Sequence, residues 1–510
     1  MLLKKISSAK YGARLFQVVF MFRQGARSLS VPAQPVPPLA QTLQGYLRAL
    51  EPLLPADELE HTREVVRKFG AEGGLGEKLQ RGLEKRARHS HNWISDWWVK
   101  WACLENRQPL AVHSNPAIAL PKQDYSDWRG QLLFASKLIA GVLDFKAKID
   151  SGCLPVEHMR GQPLCSDLFP LLFSSCRIPG PKHDQVFHYS QSRRAPTHIT
   201  VVRNYQFFQL EVYNSNGTPL TQSQIHDQLR RIRSQSWKTD KEPVGILTSE
   251  HRHTWGAAYR RLLKDKINKE SVRLIEKGIF TLCLDSPVMR ISDDKYSSRM
   301  AAQILHGDFP KQVNLSPNSF IQVALQLAYY RVHNEVSASC DSASLRMFRG
   351  GRTDVIRSPT NQTLQFVRAV DDPSITREVK LDLLKQAVEA HSMLTDQALR
   401  GQAIDRHLLG LKLQAIEERL SVPRLFMDTA YGLATHFRLR TGQVPANTDS
   451  VLCFGPQVPD GYAVCYNPQS DHVHFSITAF NCCEETHAET LALTLDSALC
   501  QLQELLQPAT

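Results

Sequence analysis

A chain of 510 residues, 42% of them hydrophobic, can bury one large core or two ordinary ones, and two domains is the expectation because domains usually run to roughly 100–200 residues. No stretch reaches the roughly 18 consecutive apolar residues of a membrane helix, so a soluble protein is expected; the best candidate, 15–22, is broken by Gln17 and followed by Arg23. The net charge of +11 does not point to nucleic acid, since Lys4, Lys5, Lys10, Arg14, Arg23 and Arg27 precede the first acid, Glu51, and the remainder shows no basic stripe interleaved with aromatics.

The acid-free leader, with Ser7, Ser8, Ser28 and Ser30 among Leu2, Leu3, Ile6, Leu15, Phe16 and Val19, has the composition of a mitochondrial transit peptide over 1–30, with a disordered basic tail as the plainer alternative. Residues 31–39, VPAQPVPPL, are too rich in proline for a helix and mark the junction with the folded body. Helical spacing follows at 41–50 and 57–69, then Gly70, Gly73, Gly74 and Gly76 punctuate the chain before another helix. Trp93, Trp97 and Trp98 can share a helix face, and core packing is the favoured reading for them and for Trp101. Between 197 and 213, ITVV and FFQLEVY alternate as two paired strands, and 244–248 reads as a further strand. Residues 316–333 read as a capped amphipathic helix, with helices also over 381–391, 407–420 and 488–506 and strands over 451–454, 461–466 and 472–477. Helices alternating with strands imply α/β packing. The scattered cysteines, only Cys482 and Cys483 adjacent, offer no zinc pair and read as free thiols of a reducing compartment.

An ordered set of short motifs carries a resemblance. It runs from Pro35-Val36-Pro37-Pro38-Leu39 through Pro179-Gly180-Pro181-Lys182, Glu242-Pro243-Val244-Gly245-Ile246-Leu247-Thr248 and Ser342-Ala343-Ser344-Leu345-Arg346. It continues with Asp405-Arg406-His407-Leu408-Leu409-Gly410-Leu411-Lys412, Val458-Pro459-Asp460-Gly461-Tyr462 and Cys465-Tyr466-Asn467-Pro468. Together they resemble the carnitine/choline acyltransferase family over nearly everything after the leader. The resemblance implies two similarly folded α/β domains of the coenzyme A-dependent acyltransferase type and reversible transfer of a short acyl group between acyl-CoA and L-carnitine. Coenzyme A is then a substrate, with no permanently bound cofactor, and a monomer in mitochondria with at most peripheral membrane contact is expected; the final 507–510 lack a Ser-Lys-Leu-type signal.

The resemblance also assigns residues. Arg406 matches the arginine that separates carnitine enzymes from choline enzymes, and a planar guanidinium suits a carboxylate; on its own, a lone arginine reads first as a structural ion-pair partner of Asp405 or another acid. Thr353 matches a second carboxylate contact, with Thr441 beside it in the carnitine site. Lys311, Asp341 and Gln443 fall at coenzyme A positions, and Leu452 stands where a bulky side chain restricts the acyl chain. The implied domain limits are a helical N-terminal region over 31–90 packing with the C-terminal half, a first acyltransferase domain over 91–307 and a second over 308–510.

Several positions depart from the family. The Glu-His-Ala or Glu-His-Ser motif that supplies the general base is expected between the Met300 region and Asp308, yet the chain runs from Ala301-Ala302-Gln303-Ile304-Leu305-His306-Gly307 straight into Asp308-Phe309-Pro310-Lys311. No catalytic residue is therefore assigned: His306 matches an ordinary family histidine, and Glu250-His251 lies in a segment matching a different helix. Arg440-Thr441-Gly442 replaces a Ser-Thr-Ser, removing a hydroxyl from the oxyanion site, and Cys340 replaces a tyrosine. Asn318 stands for an aspartate, Asp341 for a glutamate. The expectation is an incomplete first domain and an intact second one, in a splice form or incomplete version of an active acyltransferase, in a pseudoenzyme that binds carnitine, coenzyme A or only another protein, or in an enzyme with a relocated base that no residue here proposes.

Overall fold

The computed structural model describes residues 31–110, 114–121, 123, 125, 127–285, 302–303, 310, 313–443, 448, 450–470 and 472–507. The leader over 1–30, Lys311 and the junction 304–309 lie outside them. The chain divides into two compact units: the smaller takes its described core residues from 104–109 and 123–285, the larger from 32–103, 110–121 and 302–507.

The smaller unit is built on a hairpin. His198–Arg203 and Gln206–Glu211 pair antiparallel with Arg203 opposite Gln206, and the two residues between them, Asn204 and Tyr205, both have positive φ, as a two-residue hairpin turn requires. Thr281–Cys283 adds a parallel third strand to His198–Arg203. Helices Trp128–Asp150 and Gln222–Gln235 bury Leu132, Ile139, Leu143, Ile225, Leu229 and Ile232 against Ile199, Val201 and Leu210. The second helix opens with a reciprocal capping box between Thr221 and Gln224. The strand expected over 244–248 is instead a 3-10 helix, Val244–Ser249. Its backbone closes locally, Ile246 N donating to the Pro243 carbonyl at 3.0 Å, and the Thr248 and Ser249 hydroxyls donate to the carbonyls of Gly245 and Ile246, each at 2.7 Å. Such local bonds compete with strand pairing.

The larger unit holds a six-stranded mixed sheet in the order Thr353–Arg357, Ser339–Ser344, Leu439–Gln443, Tyr462–Pro468, Val473–Ala479, Ala302–Gln303. The central three strands run parallel and the outer ones antiparallel. Helices Pro317–His333, Arg377–Leu399 and Ala488–Leu506 share one core with this sheet, including Phe320, Leu327, Phe366, Leu384, Leu439, Tyr466, Leu495 and Leu499. Helix Pro317–His333 is capped by the Ser316 hydroxyl, has Pro317 in its first turn and ends at Asn334 in the left-handed region. A second core gathers the N-terminal helices Leu39–Leu50, Ala56–Phe69 and Leu75–His89 around Leu408, Leu411, Leu425 and Phe426. Residues 31–38 form neither helix nor strand before the first helix. Trp93 is buried there, its indole N–H donating to the Pro35 carbonyl at 3.0 Å, whereas Trp101 is exposed.

Candidate functional site

The site in the larger unit starts from helix Asp405–Glu417, whose first two residues point their charges to different partners. Asp405 does not pair with Arg406. It receives two hydrogen bonds from the Arg357 guanidinium, at 2.8 and 3.0 Å, and both side chains are buried. Arg357 completes its set by donating to the Ala434 carbonyl at 2.7 Å. Burial opposes the charge on Arg357, but the attraction and hydrogen bonds of Asp405 outweigh it and hold the guanidinium above its usual range.

Arg406 is thereby left without a carboxylate among the described residues. Its Nε donates to the Thr353 carbonyl at 2.8 Å and one Nη lies 3.5 Å from the Thr353 hydroxyl, while the guanidinium sits 4.9 Å from the centre of the Trp98 ring. An aromatic face and a main-chain carbonyl fix the plane of the fork without neutralising it. Behind it, Asp354 accepts from Val355 N at 2.8 Å and from Arg406 N at 3.3 Å. Burial pushes the Asp354 carboxyl up to about 7, against the attraction of Arg406. Trp98 and Asp354 are the residues that sequence reasoning missed. Asp354 directly follows Thr353 in the sequence, and Trp98 was assigned to the core with its neighbours.

Asp341 and Thr441 meet through a second buried constellation. Adjacent strands Ser339–Ser344 and Leu439–Gln443 run parallel, with Cys340 opposite Arg440. Asp341 accepts from Ser342 N at 2.8 Å and from the Asn318 amide at 3.2 Å; Tyr466 donates to Asn318. Burial pushes the Asp341 carboxyl up against those hydrogen bonds. Thr441 donates to the Cys340 carbonyl at 3.0 Å and accepts from Gln322, whose amide also donates to Tyr466 at 2.9 Å. Ser358 donates to Gln322 at 2.7 Å and lies 3.4 Å from His391, which contacts Ser319 at 3.1 Å. Burial pushes His391 down to about 4, so its ring is neutral. Asn318 thus serves as the link between Asp341 and Tyr466.

The other assigned residues are placed as follows. Gln443 is exposed at the end of its strand, opposite Tyr466. Leu452 is half-buried in the short strand Val451–Cys453, paired with Ile118 of Ala117–Ala119. Lys311 lies outside the described residues. Cys340 is buried, and burial raises its thiol to about 12, so it is neither a donor equivalent to a phenol nor a thiolate. At Gly442, a side-chain β-carbon would meet only the Phe454 ring at 3.4 Å, so a serine would fit there.

Two histidines away from this site, His251 and His407, have partners of their own. His251 caps the helix Arg252–Leu262 by accepting from His253 N, and the two rings stack at 5.2 Å. His407 lies between the Thr42 hydroxyl at 2.7 Å and the Gln80 amide oxygen at 2.8 Å, and burial pushes it down to about 3. Among the described residues no group of three or more His, Cys, Asp or Glu side chains could hold a metal ion, and the cysteines are free thiols.

Comparison with known proteins joins these observations. The Choline/Carnitine o-acyltransferase family model matches residues 34–307 and 297–497. Carnitine O-acetyltransferase from Homo sapiens is 46% identical over 586 aligned residues, covering 94% of this chain and 94% of that protein. The protein of the same description from Columba livia is also 46% identical, over 94% of each chain. Choline O-acetyltransferase from Danio rerio is 34% identical over 93% of each.

Proposed function

The chain belongs to the choline/carnitine O-acyltransferase family, and from that premise we propose that its site is built for short-chain acyl transfer between coenzyme A and L-carnitine, with the carboxylate-binding half present and the general base absent. The observation that carries this reading is the Arg406 guanidinium, held in plane by Trp98 and the Thr353 carbonyl yet hydrogen-bonded to no protein carboxylate among the described residues. Its free N–H groups and the Thr353 hydroxyl suit one carboxylate, which carnitine has and choline lacks. Thr441 would join Arg406 and Thr353 on the carnitine side, Asp341 and Gln443 would lie toward coenzyme A, with Lys311 on the nucleotide phosphates and Leu452 limiting the acyl chain.

Direct transfer requires a base to take the proton of the carnitine hydroxyl as its oxygen attacks the thioester carbonyl, and a donor to the oxyanion that forms. The sequence holds no histidine in the family's Glu-His-Ala or Glu-His-Ser setting for the first task, and Gly442 has no side chain for the second. Two alignment features support a block missing between Gly307 and Asp308. The family match breaks into two segments that meet at 297–307, and the alignment with the human relative, at 586 positions, is longer than this chain of 510. Gly442 and Cys340 favour a second reading, a binding protein that stays silent even with the block restored. The family and the composition of 1–30 support a mitochondrial location.

Calorimetric titration with L-carnitine and with choline tests the binding half. The chain should prefer carnitine, and Arg406→Ala should weaken carnitine at least about 30-fold, the ~2 kcal/mol or more expected for losing a charge-assisted pair, while leaving choline unchanged. Equal affinities for carnitine in the two proteins would sink this reading.

A further inference from the structure

In the smaller unit, helix Gln222–Gln235 ends with Arg230, Arg231 and Arg233. One or two cations there would satisfy the negative end of the helix dipole. The fold adds another: Arg203, from the strand before the hairpin turn, donates to the carbonyl of Ser236 at 2.5 Å and to its hydroxyl at 3.0 Å. Trp128 arrives from a distant helix, its ring 4.6 Å from the Arg233 guanidinium, and Trp237 follows the helix with 71% of its surface exposed. These six side chains line one open depression with a single carboxylate, Asp227. None of the four arginines has an ion pair among the described residues, and burial together with the facing charge of Arg203 depresses Arg233. Four guanidiniums against one carboxylate leave the depression positively charged, and a bound anion would relieve their repulsion. Trp128 and Arg203 are far apart in sequence, which is why the linear reading found no basic cluster among aromatics.

We propose that this depression binds a soluble oligophosphate of the nucleoside di- or triphosphate class. Guanidiniums grip phosphate oxygens in pairs, and the exposed Trp237 ring offers a face for a base to stack on. The charge is gathered at one helix end in a concave site, which suits a compact ligand better than a strand of nucleic acid or the plane of a membrane. The site shares no residue with the carnitine site of the larger unit, so it stands apart from the reading above.

Tryptophan fluorescence and calorimetry on the full chain at about 0.1 M salt, with tripolyphosphate and ATP as probes, provide the test. Both probes should bind saturably, and the double variant Arg230→Gln/Arg231→Gln should weaken each by at least about tenfold. Trp237→Ala should weaken ATP about tenfold, as loss of base stacking does, and leave tripolyphosphate unchanged. Lys311→Gln should change neither, which separates this site from a coenzyme A site. All these positions except Lys311 are described, and Arg230, Arg231 and Trp237 are exposed, so circular dichroism should show unaltered folding. Absence of saturable binding, equal affinity in the double variant, or binding only of single-stranded DNA or of phosphatidic acid vesicles would each overturn the proposal.

Discussion

The larger unit and the smaller unit each bury a knot of arginine and aspartate, and the two knots are balanced differently. In the larger unit Arg357 and Asp405 satisfy one another, and Arg406 is offset by an Asp354 that burial holds near its protonated form. In the smaller unit one fully buried carboxylate, Asp184, accepts from Arg107 at 2.8 Å and from Arg177 and Arg252 at 2.7 Å each. Nε of Arg107 and Nη2 of Arg252 there have no hydrogen-bond partner among the described residues. The first arrangement spares a guanidinium for a ligand. The second ties segments 104–109, 175–188 and 251–262 together with more positive charge than the carboxylate neutralises. The main sheets differ in the same sense, with six strands in that of the larger unit and three in that of the smaller among the described residues.

The largest effects come from cutting each knot. Removing one member of a buried pair costs about 3–5 kcal/mol, so Asp405→Ala should destabilise the larger unit by that amount and Asp184→Ala the smaller unit likewise. Hydrogen exchange read separately over 439–468 and 198–211 checks this. Loss of protection in both regions from either variant alone would break the comparison, since it would mean that the units unfold together. Next in size is Gly442→Ser in a chain carrying a restored base segment: regaining an oxyanion donor should raise kcat about 10²–10³-fold, and no change would remove Gly442 from the account.

The smaller effects are of slope. Burial pushes Asp184 up, but hydrogen bonds from Arg177 and Arg252 outweigh it and hold the carboxyl below its usual range. Its stabilisation is therefore present above the unfolded carboxylate value and lost as pH falls through the lower folded value. Asp354 has the opposite sign: its folded value is raised, so its contribution is complete below the unfolded value and is lost as pH rises toward about 7. In urea titrations, Asp184→Asn should flatten the acid limb and Asp354→Asn the limb between about pH 4 and 7. Ionised Asp354 also opposes a second anion at Arg406, so carnitine should bind more tightly as pH falls through about 7, and this dependence should vanish in Asp354→Asn.

Much of the scaffold was legible because its signals are local. Ser316-Pro317 starts a helix by capping and a preset φ, the prolines of 31–38 forbid one, and helix Ala488–Leu506 falls on the residues its apolar spacing marks. The strands Ser339–Ser344 and Thr353–Arg357 were not legible, because SCDSAS and TDVIR lack the apolar alternation of a half-buried strand. The 3-10 helix Val244–Ser249 misled for the converse reason: its apolar run suits a strand, while its hydroxyls and Pro243 close turns. At the site, Arg406 and Thr353 were legible only through family resemblance. Trp98 and Arg357 were hidden because their partners Arg406 and Asp405 are distant in sequence, and only the fold brings such pairs together.

The central claim is that the carboxylate site is present and the base is absent, and release of coenzyme A from acetyl-CoA in the presence of L-carnitine tests it most directly. The purified chain as written should release none above background, and a version with the family's base segment inserted between Gly307 and Asp308 should turn over. Turnover by the chain as written would contradict the claim, because some residue of these 510 would then be acting as the base.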